Sequence, residues 1–234
     1  MRINLWSALV LLGLSWPSIS FAADTQDDPT IFHYSRLETD VGDDRDEFAT
    51  RWNLDAWLGG DTDKIWVKSE GDVKGNTTVK AEFLGLYSHN VADFWDVQAG
   101  IRQDAEPSAT TYFTFGVNGL APYYFETEAY VFISDRGDLS TRIKESNDLL
   151  ITQCLITQPY AELNLYAQND IQRYIGSGVA GDVGLQTRYE ITRQFAPYID
   201  LRYEDKFGQA ATQAIRTGDD ARGFIASVGL RLMY

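Results

Sequence analysis

FIASVGLRLMY, residues 224–234, alternates without a break. Phe224, Ala226, Val228, Leu230, Leu232 and Tyr234 fall on one face. Ile225, Ser227, Gly229, Arg231 and Met233 fall on the other, the period of two that a β-strand imposes on its side chains. A strand of about ten residues with one apolar face, ending on an aromatic, has the form of the last strand of an outer-membrane β-barrel. A half-buried strand of a soluble sandwich has the same local pattern, so the rest of the chain must decide.

The pattern recurs. In 183–191, Val183, Leu185, Tyr189 and Ile191 oppose Gly184, Gln186, Arg188 and Glu190. In 160–168, Ala161, Leu163, Leu165 and Ala167 oppose Glu162, Asn164 and Gln168. Equivalent stripes run through 95–102, 123–133 and 196–204. No stretch shows a convincing 3.6-residue period. Short turns are expected at Gly59–Asp61, Asn90–Ala92, Gly119–Ala121, Thr157–Pro159 and Phe195–Pro197. Longer polar connections are expected at 71–77, 104–109, 134–138, 169–181 and 206–222. Short periplasmic turns alternating with longer outer loops are the habit of outer-membrane barrels. Counting back from the last strand gives an all-β, antiparallel barrel of about twelve strands over 31–234, with 31–39 as the first strand. Residues 139–156 read as one long strand or a broken one. Trp52, Trp95, Tyr123, Tyr198, Tyr203 and Tyr234 suit the aromatic belts at the two membrane surfaces.

Residues 1–22, MRINLWSALVLLGLSWPSISFA, read as a secretory leader: Arg2, a short apolar core, and Ser20-Phe21-Ala22 before a cut after Ala22. Residues 23–30, ADTQDDPT, form a short acidic segment. The composition fits export to a lipid environment. The 234 residues carry 34 acids against 20 bases, a net charge of −14, yet 44% are hydrophobic and 13% aromatic. That acidity argues against nucleic acid as a partner. One Cys excludes an intramolecular disulfide framework and a Cys-based zinc finger.

If the apolar stripes meet lipid, the charged stripes fill the lumen. They comprise Arg51, Lys68, Lys80, Arg102, Arg188 and Arg202, with Asp55, Glu70, Glu82, Asp96, Glu126, Glu128, Glu162, Glu190, Asp200 and Glu204. Such charges either pair in a structural ladder or leave surplus carboxylates that form a cation site or path. Catalysis has little support. Ser88-His89-Asn90 is the one local Ser–His hint, and it falls near an expected turn; it carries the alternative of a lipid hydrolase. Glu126 and Glu128, two apart on a strand, read as lumen charges. Cys154 reads as an inert thiol. A non-enzymatic barrel is expected.

Several long blocks resemble the copper resistance protein B family of outer-membrane barrels. They are LYSHNVADFWDVQAGIR (86–102), GVNGLAPYYFETEAYVFIS (116–134), LLITQCLITQPYAELNLY (149–166) and GSGVAGDVGLQTRYEITRQFAPYIDLRY (176–203), with the terminal VGLRLMY. The resemblance implies copper tolerance, with copper ions bound or moved out of the periplasm, outer-membrane lipid as surroundings and a periplasmic copper carrier as donor. Matching the family's blocks, Glu38, Glu70, Glu82, Asp96 and Glu126 are carried over as candidate metal-contacting acids of the lumen. Soft donors are few, namely His33, His89, Cys154 and Met233 beyond the leader. Copper favours sulfur and imidazole, so His33 joins the acids as the candidate imidazole. A cation-selective or small-solute porin without a copper role is the remaining alternative.

Overall fold

The computed structural model describes residues 31–44, 47–168, 177–216 and 221–234. The expected leader and acidic segment lie outside them. The strands are β1 (Phe32–Asp44), β2 (Glu47–Gly59), β3 (Asp63–Lys74), β4 (Thr77–Ala92), β5 (Trp95–Glu106), β6 (Thr110–Ala121) and β7 (Phe125–Ser134). They continue as β8 (Leu139–Ser146), β9 (Leu149–Leu150), β10 (Leu155–Tyr166), β11 (Gly178–Tyr189), β12 (Phe195–Gly208) and β13 (Arg222–Met233), with helix α1 (Gln209–Arg216) before the last. All pairings are antiparallel. The sheet closes on itself, because β13 pairs with β1 from Arg36↔Met233 to Asp43↔Ala226. At that seam Ser35 and Tyr234 exchange two backbone hydrogen bonds, each 2.8 Å. β1 extends past the expected 31–39 and pairs along its length with β2.

β8 and β9 are two pieces of one stave, so the barrel has twelve. Pro159 on β10 explains the break between them. Its carbonyl accepts the Asn147 N–H at 3.1 Å. Backbone N–H and C=O of one strand residue point the same way, so a non-proline there would return a bond. Proline has no N–H to give. Thr157–Pro159 is therefore strand, not the expected turn; the turn falls at 151–154. Likewise Phe195–Pro197 opens β12, and its turn lies at 190–194.

The expected contrast in loop length is only partly present. β3 and β4 run through most of 71–77 and leave Gly75 and Asn76 as the turn, with Gly75 at φ 57°. Strand propensity in Val73 and Thr77–Val79 overrides the polar composition. In 206–222, β12 continues to Gly208 and α1 follows, its Ala210 and Ala214 buried one turn apart. That short helix escaped the sequence reading because one small-residue repeat is too brief a period to register.

The outer surface is apolar at mid-height. Ile101, Phe115 and Val228 are each more than half exposed. No water-soluble surface carries so continuous an apolar band; this is a lipid face. On it Trp52 lies over Gly71, and its indole N–H donates to Ser69 at 3.1 Å. A Cβ on Gly71 would sit 1.9 Å from the indole ring. Phe94, Tyr123, Tyr124 and Tyr234 project, highly exposed, at the end that holds the C-terminus. Phe94, Tyr123 and Tyr124 have left-handed backbones with φ of 65°, 67° and 64°. Asn147 donates to the Tyr123 carbonyl at 2.7 Å and secures that turn. Tyr198 is not a belt residue: it is buried and faces inward, as its position two residues from Asp200 requires.

Candidate functional site

The interior is uneven. On the β4–β7 side it is solid. Leu84, Leu86, Tyr112, Tyr130 and Phe132 form an inward-facing cluster, with Trp66 packed against it. The Arg102 guanidinium lies over Phe132 and Tyr112, 4.8 and 5.2 Å from the ring centres. Tyr130 donates to Gln98 at 2.5 Å, Gln98 to Ser88 at 3.1 Å and Ser88 to Asp96 at 2.9 Å. Assigning every apolar stripe to lipid misses these inward aromatics. Their sign was in the sequence: YFTF at 112–115 and YVFI at 130–133 are apolar or neutral on both faces.

An ionic crossbar bounds this packed half. Glu82, 1% exposed, accepts from Arg142 at 2.5 and 3.1 Å. Arg102 reaches the same carboxylate at 2.7 Å and Asp104 at 2.6 Å. Glu70 on β3 holds Lys80 at 2.9 Å and Lys144, which comes from β8 on the other side of the lumen. Glu162 on β10 lies 3.4 Å from both Arg142 and Lys144. Four carboxylates (Glu70, Glu82, Asp104 and Glu162) thus meet four cations (Lys80, Arg102, Arg142 and Lys144). In a low-dielectric interior such groups persist only when paired. Beside the bar, Lys68 joins Glu128 at 2.5 Å and Asp55 at 3.6 Å, and Arg36 joins Asp55 at 2.5 Å.

Beyond the crossbar lies a cavity of about 480 Å³, between it and the wall of β10–β12, β1 and β2. Twelve acidic and six basic residues line it, so its field favours cations. Arg51 donates to Asp40 at 3.1 Å, Tyr198 to Asp40 at 3.3 Å, and Tyr160 to both oxygens of Asp200 at 2.9 Å. Arg231, from the last strand, holds Glu38 and donates to Gln158 at 3.0 Å and Gln186 at 2.7 Å. Arg36, Asp40, Arg142, Lys144, Tyr160, Asp182 and Arg231 were missing from the charge inventory. Their signal was simple alternation: Arg142 and Lys144 alternate with Thr141 and Ile143.

Of the six candidate metal contacts the structure brings together Glu70 and Glu82, which face each other across β3 and β4 and share Lys80 and Arg142; the other four lie elsewhere. Glu38 and Glu70 line the cavity, each already bonded to a cation. Glu82 is sealed inside the crossbar. Asp96 sits lower, bonded to Lys64 at 2.8 Å and Asn90 at 2.9 Å. Glu126 is exposed at the cavity mouth. His33 lies on the outward parity of β1, its ring 6.4 Å from that of Tyr234, and does not meet the acids. Among the described residues no three His, Cys, Asp or Glu side chains are grouped to hold a metal. Ser88 and His89 do not meet either. Ser88 points inward, whereas His89 bonds to Asp63 at 2.7 Å on the exposed face.

Comparison with known proteins places this geometry. The family model described as copper resistance protein B precursor matches residues 30–234. A copper resistance protein B homolog of Pseudomonas syringae pv. tomato is 42% identical over 82% of the chain and 66% of its own length. Copper resistance protein B of Escherichia coli is 39% identical over 85% of the chain and 67% of its own length. The chain thus spans about two thirds of the curated relatives it matches. Among solved structures, the NanC porin superposes with a TM-score of 0.59 at 13% identity, covering 85% of this chain and 98% of that one. The KdgM porin superposes at 0.54 and 8% identity, over the same shares. At such identities these two speak for the fold, an outer-membrane barrel.

Proposed function

We propose that this chain, which belongs to the copper resistance protein B family, acts in copper tolerance by passing copper ions out of the periplasm through its acidic lumen. The observation that carries the reading is the cavity wall, on which acids outnumber bases two to one. Copper is cargo here. Carboxylates are hard ligands that hold copper weakly next to imidazole or thiolate. A lumen of dispersed, partly paired carboxylates therefore suits transit, which requires entry to be favourable and exit to remain possible. Glu38 and Glu70 at the cavity surface and Glu126 at its mouth supply that field. Glu82 and Asp96 support it from within the packing. His33 is assigned no part in the path. A periplasmic copper carrier is the donor, docking at the short turns beside the C-terminus. The barrel performs no chemistry on its cargo.

The test is copper entry into vesicles that hold the folded full chain and a trapped copper-sensitive dye, with Cu(II) and, under reducing conditions, Cu(I). Entry faster than in empty vesicles, and slowed in Glu38→Gln, supports the reading. Potassium flux without copper flux would replace it with a porin lacking a copper role.

A further inference from the structure

The crossbar does not present the same face everywhere. Arg142, Arg102 and Glu82 have side chains only 7%, 6% and 1% exposed. Lys144 is 25% exposed and lines the cavity. One inner layer is therefore closed to ions, and Lys144 is part of the layer an ion would meet.

The register sharpens its position. Lys144 pairs laterally with Glu128 on β7 and Glu162 on β10. Glu162 pairs with Asp182 on β11, and Asp182 with Glu204 on β12. One row across five adjacent strands thus reads Glu128, Lys144, Glu162, Asp182, Glu204. Like charges directly opposite each other repel, and Lys144 is the single base among four acids. Glu128 is already held by Lys68 and Glu204 by Arg202 at 3.2 Å. Lys144 also crosses the lumen to Glu70 on β3, five staves away in a ring of twelve.

We infer that Lys144 is the selectivity-determining residue of the passage: it narrows the lumen to the channel along the β10–β12 wall and offsets the acidic row, limiting how strongly that channel prefers cations. The inference rests on the lumen conducting ions, as proposed above, but not on the ion being copper.

The experiment is the reversal potential of the folded full chain in planar lipid bilayers under a KCl gradient, with folding verified by heat-modifiable electrophoretic mobility. Lys144→Gln is expected to raise conductance, and to raise potassium-over-chloride permeability up to about thirty-fold, because one charge about 4 Å from an ion in water changes the potassium and chloride terms about five-fold each in opposite directions. Lys144→Arg should behave as the parent. Glu162→Gln should shift the potential the opposite way, and Lys144→Met, which keeps the side-chain length without the charge, repeats the test if Lys144→Gln does not fold. A purely structural lysine would not give opposite shifts. An unchanged reversal potential in Lys144→Gln, or no conductance in parent and variant alike, overturns the inference. Selectivity that shifts as expected without any copper flux would overturn the functional reading and leave this one standing.

Discussion

Glu82→Gln removes one charge from the centre of the crossbar and almost no volume. No cavity opens, so the cost is electrostatic. The side chain is 1% exposed, and its oxygens serve Arg142 at 2.5 and 3.1 Å and Arg102 at 2.7 Å. The amide leaves two buried guanidiniums without their shared counter-ion and turns an N–H₂ toward them. Breaking a buried pair by removing one partner costs about 3–5 kcal/mol. Arg102 keeps Asp104 at 2.6 Å, and Arg142 keeps Glu162 at 3.4 Å. The lower end applies, about 3 kcal/mol. The assay is reversible urea unfolding in lipid vesicles, followed by tryptophan fluorescence. With a urea slope of about 1–3 kcal/mol per molar, the midpoint should fall by about 1–3 M. Glu126→Gln, at the exposed mouth, should stay within about 0.5 kcal/mol. Equal and small effects at both positions would refute the argument that the crossbar is a buried, mutually dependent network.

Leu201→Arg places a charge at mid-height on the lipid face and should destabilise the barrel by about 2–4 kcal/mol, whereas Phe207→Arg near the strand end should cost about 0–1 kcal/mol; vesicle unfolding separates them. Gly71→Ala must push the Trp52 indole away, since the new Cβ would meet its ring at 1.9 Å. A loss of about 1–3 kcal/mol is expected, with a changed tryptophan emission as Trp52 leaves Ser69. Asn147→Ala removes the 2.7 Å bond to the Tyr123 carbonyl. It should cost about 1–2 kcal/mol and speed proteolysis at 122–124; an unchanged cleavage rate would show that the turn holds itself.

The barrel was legible because its alternation is local. Phe224–Tyr234 declares its two faces within one strand, and β13 shows both as read. The same logic identified Glu70, Glu82, Glu162 and Asp200 as inward groups. It stopped where one face does not differ from the other. Tyr112, Tyr130 and Phe132 are inward aromatics in segments apolar on both sides, so nothing local separated lumen from lipid. Turn positions slipped for a related reason. Pro159 looks like a turn former, yet it sits in a strand that gives up one hydrogen bond to keep it. The crossbar is a different case. Lys144 and Glu70 are 74 residues apart, and only the closed ring makes them neighbours. The candidate acids were found one by one, while their pairing, which decides what each can do, belongs to the tertiary structure.

The packed half of the barrel comes from consecutive strands, β4 to β7, whereas the channel wall includes the seam between the last strand and the first. Arg231 and Glu38, which meet at that wall, lie 193 residues apart. Contacts between near neighbours in sequence form early, and those that close long loops form late. The two halves are therefore expected to mature in order during assembly: the solid side can be complete while the channel side is still an open edge. A chain arrested before its final strand docks would carry a finished plug and no enclosed passage, so its insertion need not breach the membrane it is entering.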